Sequence, residues 1–152
     1  MATAELVEIG LMRIELGDFL EVISGEGEGI SKGAQLAIGI NSISLEGENI
    51  QAAMAMQDAS VNATVIGEGL ALLEARVTLK TDDGAFIHAA WSGRAYLSEG
   101  LVAIAPTFRT ANDSYTWLNR VQAVGAGEED IAAGKLVYRL YKVKLTSEPD
   151  LL

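Results

Sequence analysis

The stretch Leu70-Ala71-Leu72-Leu73-Glu74-Ala75-Arg76-Val77-Thr78-Leu79-Lys80 decides the fold. Its Ala, Leu and Glu residues favour helix, and Leu70, Leu73 and Val77 fall at helical spacing. A period of two competes well and is the reading adopted. Ala71, Leu73, Ala75, Val77 and Leu79 make one wholly apolar face; Leu70, Leu72, Glu74, Arg76, Thr78 and Lys80 make the other. The acidic turn Asp82-Asp83-Gly84 follows, then a run over residues 86–92, and the two runs read as a hairpin.

The rest of the chain repeats this grammar. Sixteen glycines stand against two prolines, with short apolar runs between the glycines, as in many strands joined by tight turns. Strands are expected over residues 7–16, closed by Gly17-Asp18, and over 34–45, followed by the turn Glu46-Gly47-Glu48-Asn49. Further strands are expected over 50–56, 101–110, 114–124 and 136–145, with Pro106 marking an edge or a bulge. Glu128 to Gly134 reads as one helical turn stopped by glycine. Residues 146–152 read as a frayed tail. The count gives an all-β chain: a single antiparallel closed β-barrel of about eight to nine strands with an apolar lumen, spanning residues 1–152 as one domain. Closure removes exposed strand edges.

Composition narrows the function. The chain has 152 residues, 49% of them apolar, and a formal net charge of −10. Such a surface repels nucleic acid and anionic membranes, so neither is an expected partner. No cysteine is present, which removes thiolate nucleophiles and cysteine-based metal sites. No apolar run reaches membrane-span length and no secretory leader pattern is visible, so a cytoplasmic location is expected. The glycine loop Ser24-Gly25-Glu26-Gly27-Glu28-Gly29 is a poor phosphate cradle. Its two glutamates repel phosphate, and no Lys-Ser/Thr follows.

Three segments carry a family likeness: Ala75-Arg76 through Thr81-Asp82-Asp83-Gly84, then Gly93-Arg94, then Tyr115 with Trp117-Leu118-Asn119-Arg120. With the turn Leu45-Glu46-Gly47 and the pair Gly125 and Gly127, the chain resembles the DUF3237 (UPF0311) family of small bacterial β-barrel proteins, over roughly Glu5 to Val143. The resemblance implies an antiparallel barrel similar to the allene oxide cyclase and dirigent type, assembled as a homo-oligomer. Ser42 and Ile43 stand where relatives carry Gly-Gly, and Val61 and Asn62 are the nearest match to a usual Asp-Trp pair. Altered loops around a recognisable barrel point to a specialised ligand site.

Barrels present alternate side chains inward. Glu74 and Arg76 share one strand face; Phe86 and His88 share a face on the next strand. If these faces line the lumen, a carboxylate, a guanidinium and an imidazole converge in an apolar cup able to bind an enolate or phenolate and move a proton. The competing readings are an exposed or interfacial Glu74–Arg76 ion pair and a structural His88. On the expected strand 114–124, Tyr115, Trp117 and Asn119 share a face, where Trp117 floors a pocket and Asn119 binds a ligand oxygen, or both serve the core and a loop. Met54 suits an adaptable apolar lining or plain core filling. No metal set and no nucleotide fingerprint is found. The leading expectation is a cofactor-independent isomerase, cyclase or lyase acting on a small apolar carbonyl, phenolic or polyketide-like molecule. Glu74, Arg76 and His88 would be catalytic, and Trp117, Asn119, Phe86, Tyr115 and Met54 would bind the ligand. The alternative is a carrier that binds such a molecule without chemistry, the subunits associating as a dimer or trimer in either case.

Overall fold

The computed structural model describes residues 1–24 and 33–149. Ten strands form one antiparallel sheet: β1 Ala2–Ile23, β2 Gln35–Glu46, β3 Gln51–Met54, β4 Ser60–Gly67, β5 Leu70–Thr81, β6 Phe86–Tyr96, β7 Leu101–Ile104, β8 Thr107–Arg109, β9 Ala123–Asp130 and β10 Lys135–Ser147. Pairing runs β5-β4-β2-β1-β10-β9-β7-β6, and β6 returns to β5, so the sheet closes into a barrel. The ten strands fill eight staves, because two staves are broken. β3 and β4 share the place between β2 and β5. β7 and β8 share one edge of β6. The acidic segment after Ser24 and the last residues Leu151 and Leu152 lie outside the described residues.

Each break has a local cause. Pro106 has no N–H to give, and the ladder that holds Ala105 to the Ser92 carbonyl at 3.0 Å stops there before Thr107 resumes it. Between β3 and β4 the chain leaves the sheet, and Asp58 covers the gap. Its carboxylate accepts from the Thr78 hydroxyl at 2.6 Å and from the Thr78 backbone N–H at 3.3 Å. That hydrogen bonding holds the Asp58 carboxyl below its ordinary range. Closure is uneven here: β2 pairs β4 through Ile38 and β3 from Ser44, with no ladder partner on that side between them.

The decisive stretch is a strand throughout. Ala71, Leu73, Ala75, Val77 and Leu79 are all buried, and Glu74, Arg76 and Lys80 are exposed. Desolvating such apolar side chains, five on β5 and four each on β2 and β6, is the main drive for closure. The hairpin over Asp82-Asp83-Gly84 pairs Lys80 with Phe86 and continues to Leu70 and Tyr96.

Three expected elements differ. β1 does not stop at Gly17-Asp18; it runs on to Ile23 through register shifts between Glu15 and Phe19. Gly17 absorbs this bulge, since a side chain there would meet the Asn41 carboxamide at 2.8 Å. Residues 114–122 are not a strand, and Ala123 and Val124 open β9. Asp113–Arg120 form a 3₁₀ helix, capped by Asn112, whose side chain accepts from the Ser114 N–H at 3.0 Å. The aromatic, β-favouring residues there were outweighed by an Asn cap, an acid in the first turn and an Arg in the last. Glu128 to Asp130 belong to β9, and only residues 131–134 turn, with Gly134 at a φ of 66°.

The 3₁₀ helix stoppers one end of the barrel. Leu118 is 0% exposed within the core, with Tyr115, Trp117 and Val121 packed beside it. Asn119 pins the helix by accepting from the Thr110 N–H at 2.8 Å and donating to its carbonyl at 2.9 Å. The Tyr115 hydroxyl donates to Asp83 at 2.9 Å, tying the stopper to the β5–β6 turn.

Candidate functional site

Alternation on β9 and β10 positions the site at the opposite end, which is open among the described residues. On β9, Ala123, Gly125, Gly127 and Glu129 share the inward face; on β10, Leu136, Tyr138 and Leu140 do. Tyr138 pairs with Gly127 across the ladder. The pairing is sterically required. A Cβ on Gly127 would stand 2.5 and 2.6 Å from the Tyr138 ring carbons Cε1 and Cδ1. Glycine therefore lets the ring lie flat against β9, which leaves space beside it.

That space is a cavity of about 120 Å³ inside the barrel. Its wall is almost entirely apolar, with Ile14, Leu73, Trp91 and Val102 among the lining residues. Phe19, Leu97 and Ile131 line it too and remain partly exposed, which marks the mouth. Two oxygen-bearing side chains reach the wall, Glu129 and Tyr138. Glu129 is half-buried, and desolvation raises its carboxyl above the ordinary glutamate range. Tyr138 is 1% exposed, and burial, with Glu129 nearby, pushes its phenol far up, so it stays protonated. Among the described residues its hydroxyl has no hydrogen-bond partner. A buried phenol normally finds one, so this donor is available to a guest.

The arrangement is an apolar pocket lined, among the described residues, by the Tyr138 phenol, the Trp91 indole and one carboxyl of raised proton affinity. It can hold a small apolar molecule, donate to its oxygen and exchange a proton with it. Among the described residues no group of three potential metal ligands is present.

The residues singled out from sequence fall elsewhere. Glu74 and Arg76 lie on the outer face of β5, along an open groove shared with Asn62, Ser92 and Thr107. Among the described residues neither forms an ion pair; the two that occur are Arg13–Glu46 and Arg139–Glu8. His88 is exposed on the outer face of β6, opposite Thr78 and Arg109. Phe86 is exposed there as well, with the Lys80 ammonium 5.7 Å from its ring centre. The barrel thus turns the charged face of the β5–β6 hairpin to water and keeps its apolar face inside. The premise that Glu74, Arg76 and His88 converge in the lumen does not hold, because three ionised or polar groups there would be stripped of water. Tyr115, Trp117 and Asn119 sit on the stopper, and Met54 packs against the core. The lumen's own acid, Glu129, and its tryptophan, Trp91, were not singled out, and Tyr138 was not placed among the candidate site residues. Reading 123–130 as a strand would have exposed Glu129 as the one acid on an Ala-Gly-Gly face.

Comparisons with known proteins bear on the fold. The sequence model of a family described as a protein of unknown function (DUF3237) matches residues 5–143. Among curated proteins, none matches the chain. A conserved protein of unknown function from Rhodopseudomonas palustris has a similar structure, with a TM-score of 0.77 at 22% identity, covering 93% of this chain and 99% of that one. A β-barrel-like protein from Acinetobacter baumannii is similar at a TM-score of 0.77 and 23% identity, covering 93% and 97%. An enzyme from Penicillium herquei is similar at a TM-score of 0.68 and 19% identity, covering 94% and 95%. Among the described residues no helix is long and apolar enough to cross a membrane.

Proposed function

The chain belongs to the DUF3237 family, and from that footing we propose that it is a cofactor-independent acid–base catalyst acting on a small apolar carbonyl or phenolic molecule held in the lumen. The reaction class is isomerisation, cyclisation or elimination. One observation carries the reading: among the described residues a single carboxyl, that of half-buried Glu129, borders an otherwise apolar cavity that Tyr138 also lines. A carboxylate takes a proton more strongly when burial raises its pKa toward the working pH. In the proposed step Glu129 removes a proton from carbon conjugated with the carbonyl. The electron pair moves into the π-system as an enolate, whose oxygen accepts a hydrogen bond from Tyr138. The proton returns at another carbon, or the enolate closes a ring or expels a leaving group. No electron leaves the system, so no redox partner is required. Confinement in the preformed cavity supplies orientation.

The experiment is deuterium uptake by cyclohex-2-enone in heavy water, followed by NMR. The wild type should exchange the γ-protons about tenfold or more faster than buffer. Glu129→Gln should return the rate to that of buffer. A wild-type rate equal to buffer, or full activity in Glu129→Gln, contradicts the proposal.

A carrier without chemistry is the second reading, favoured by the outward placement of Glu74, Arg76 and His88, which leaves a single carboxyl at the cavity among the described residues. The Penicillium herquei enzyme supports the fold of this chain and lends its activity only by analogy. The same proposal includes a cytoplasmic location and a homo-oligomer of two or three subunits, checked by sedimentation. The net charge of −10 disfavours nucleic acid and anionic membranes as partners.

A further inference from the structure

The geometry points to an uncharged, single-ring ligand carrying one hydrogen-bond-accepting oxygen, with Gly127 and Tyr138 as the residues that set this specificity. The inference rests on the lumen being a ligand site and goes beyond it by naming what the lumen selects.

Size is the first constraint. The cavity measures about 120 Å³, and an apolar protein cavity of about 150 Å³ takes up benzene. A single ring therefore fills the space, and a fused pair of rings does not. Gly127 sets that volume. Any side chain there would drive the Tyr138 ring off β9 and into the cavity, since a Cβ would stand 2.5 Å from it.

Polarity is the second constraint. Tyr138 lines the cavity and is 1% exposed, and among the described residues its hydroxyl has no hydrogen-bond partner. Leaving such a donor unpaired is costly, so a guest with an acceptor oxygen is favoured over the bare hydrocarbon. Charge is the third. Among the described residues Glu129 is the one carboxyl at the wall, and no Lys, Arg or His lines the cavity. A carboxylate or phosphate guest would lose its water and gain no cation. An anion is thus excluded, and a neutral cyclic ketone or phenol fits.

Two tryptophans occur in the chain, and they report separately. Trp91 lines the cavity and Trp117 sits on the stopper. Titration of nitrogen-15-labelled protein with benzene, phenol, cyclohex-2-enone, benzoate and 1-naphthol, read at the indole N–H signals, tests the inference. Phenol and cyclohex-2-enone should shift Trp91 and leave Trp117 in place. Benzoate and 1-naphthol should shift neither at neutral pH. The preference for phenol over benzene should fall about three- to tenfold in Tyr138→Phe, the loss of one hydrogen bond. Benzoate or 1-naphthol moving Trp91 as phenol does overturns the inference. So does a phenol preference that survives in Tyr138→Phe, or silence of Trp91 toward every probe. The wild-type comparisons decide size and charge without any variant. Probe binding without deuterium uptake by cyclohex-2-enone contradicts the catalytic proposal and leaves this inference standing. Glu129-dependent uptake with equal binding of benzoate does the reverse.

Discussion

The two ends of the barrel treat their polar groups in opposite ways. At the stoppered end, Asp83 accepts from both Thr81 and Tyr115, and Asn119 uses both ends of its carboxamide on Thr110. At the open end, the Tyr138 hydroxyl is unengaged among the described residues, and Glu129 is half-buried with its proton affinity raised. Closing one end stabilises the fold, and its hydrogen bonds lower the carboxyl they surround, Asp83. The other end leaves the Tyr138 hydroxyl without a partner among the described residues and a half-desolvated acid next to a cavity, an arrangement that costs stability and gives a ligand something to bind. Burial alone would have treated the ends alike; the division of hydrogen bonds sets them apart.

The largest break in this comparison is expected from Leu118→Ala. The side chain is fully buried in the stopper, so its loss opens a cavity and should cost about 2–5 kcal/mol in denaturant unfolding. A cost under about 1 kcal/mol would mean that the helix does not seal the end. A smaller effect is expected from Gly127→Ala at the open end. The added methyl overpacks against the Tyr138 ring and should cost about 1–3 kcal/mol. It should also abolish the shift of Trp91 by phenol. Unchanged stability and unchanged phenol binding together would show that the ring does not lie where described.

The smallest effects are those of pH, and the two ends should respond with opposite sign. Glu129 has its folded pKa raised from 4.5 by burial, so the folded state binds its proton more tightly than the unfolded chain does. Its contribution is therefore present at low pH and lost as pH rises from about its ordinary value through the raised one. Asp83 has its pKa lowered from 3.8, first by Thr81 and then by Tyr115. Its contribution is present above the ordinary value and lost as pH falls toward the lowered one. Melting temperature followed across acid pH should show the high-pH decline vanish in Glu129→Gln and the low-pH decline shrink in Asp83→Asn. Unaltered profiles in both variants would contradict the contrast between the ends.

Much of the barrel was legible in the sequence, and the reasons are local. Period-two alternation over Leu70 to Lys80 outweighed helix propensity because burial of a whole strand face exceeds propensity differences of tenths of a kcal/mol. Asp82-Asp83-Gly84 and Pro106 act through turn geometry and a missing N–H, which need no tertiary context. β1 was cut short because a glycine in a strand reads alike as a stop or as a bulge, and only the partner strand decides. The stopper was misread because Tyr115 and Trp117 favour strand while the Asn112 cap signal favours helix.

The site was less legible. Alternation separates two faces and does not label the inner one when the outer face also carries Leu70 and Leu72. Desolvation would have chosen correctly, since it keeps Glu74, Arg76 and His88 in water. Glu129 stayed hidden because the Glu-Glu-Asp run resembles a helix start, and Tyr138 because a buried tyrosine on a strand is ordinary until its pairing with Gly127 is known.

A tighter hold on its proton than an exposed glutamate has is what sets Glu129 and the open end apart. Its direct test is a carbon-13 titration of the Glu129 side-chain carboxyl, assigned by its absence in Glu129→Gln. A midpoint above the ordinary glutamate value of 4.5 is expected. A midpoint at or below that value would contradict it.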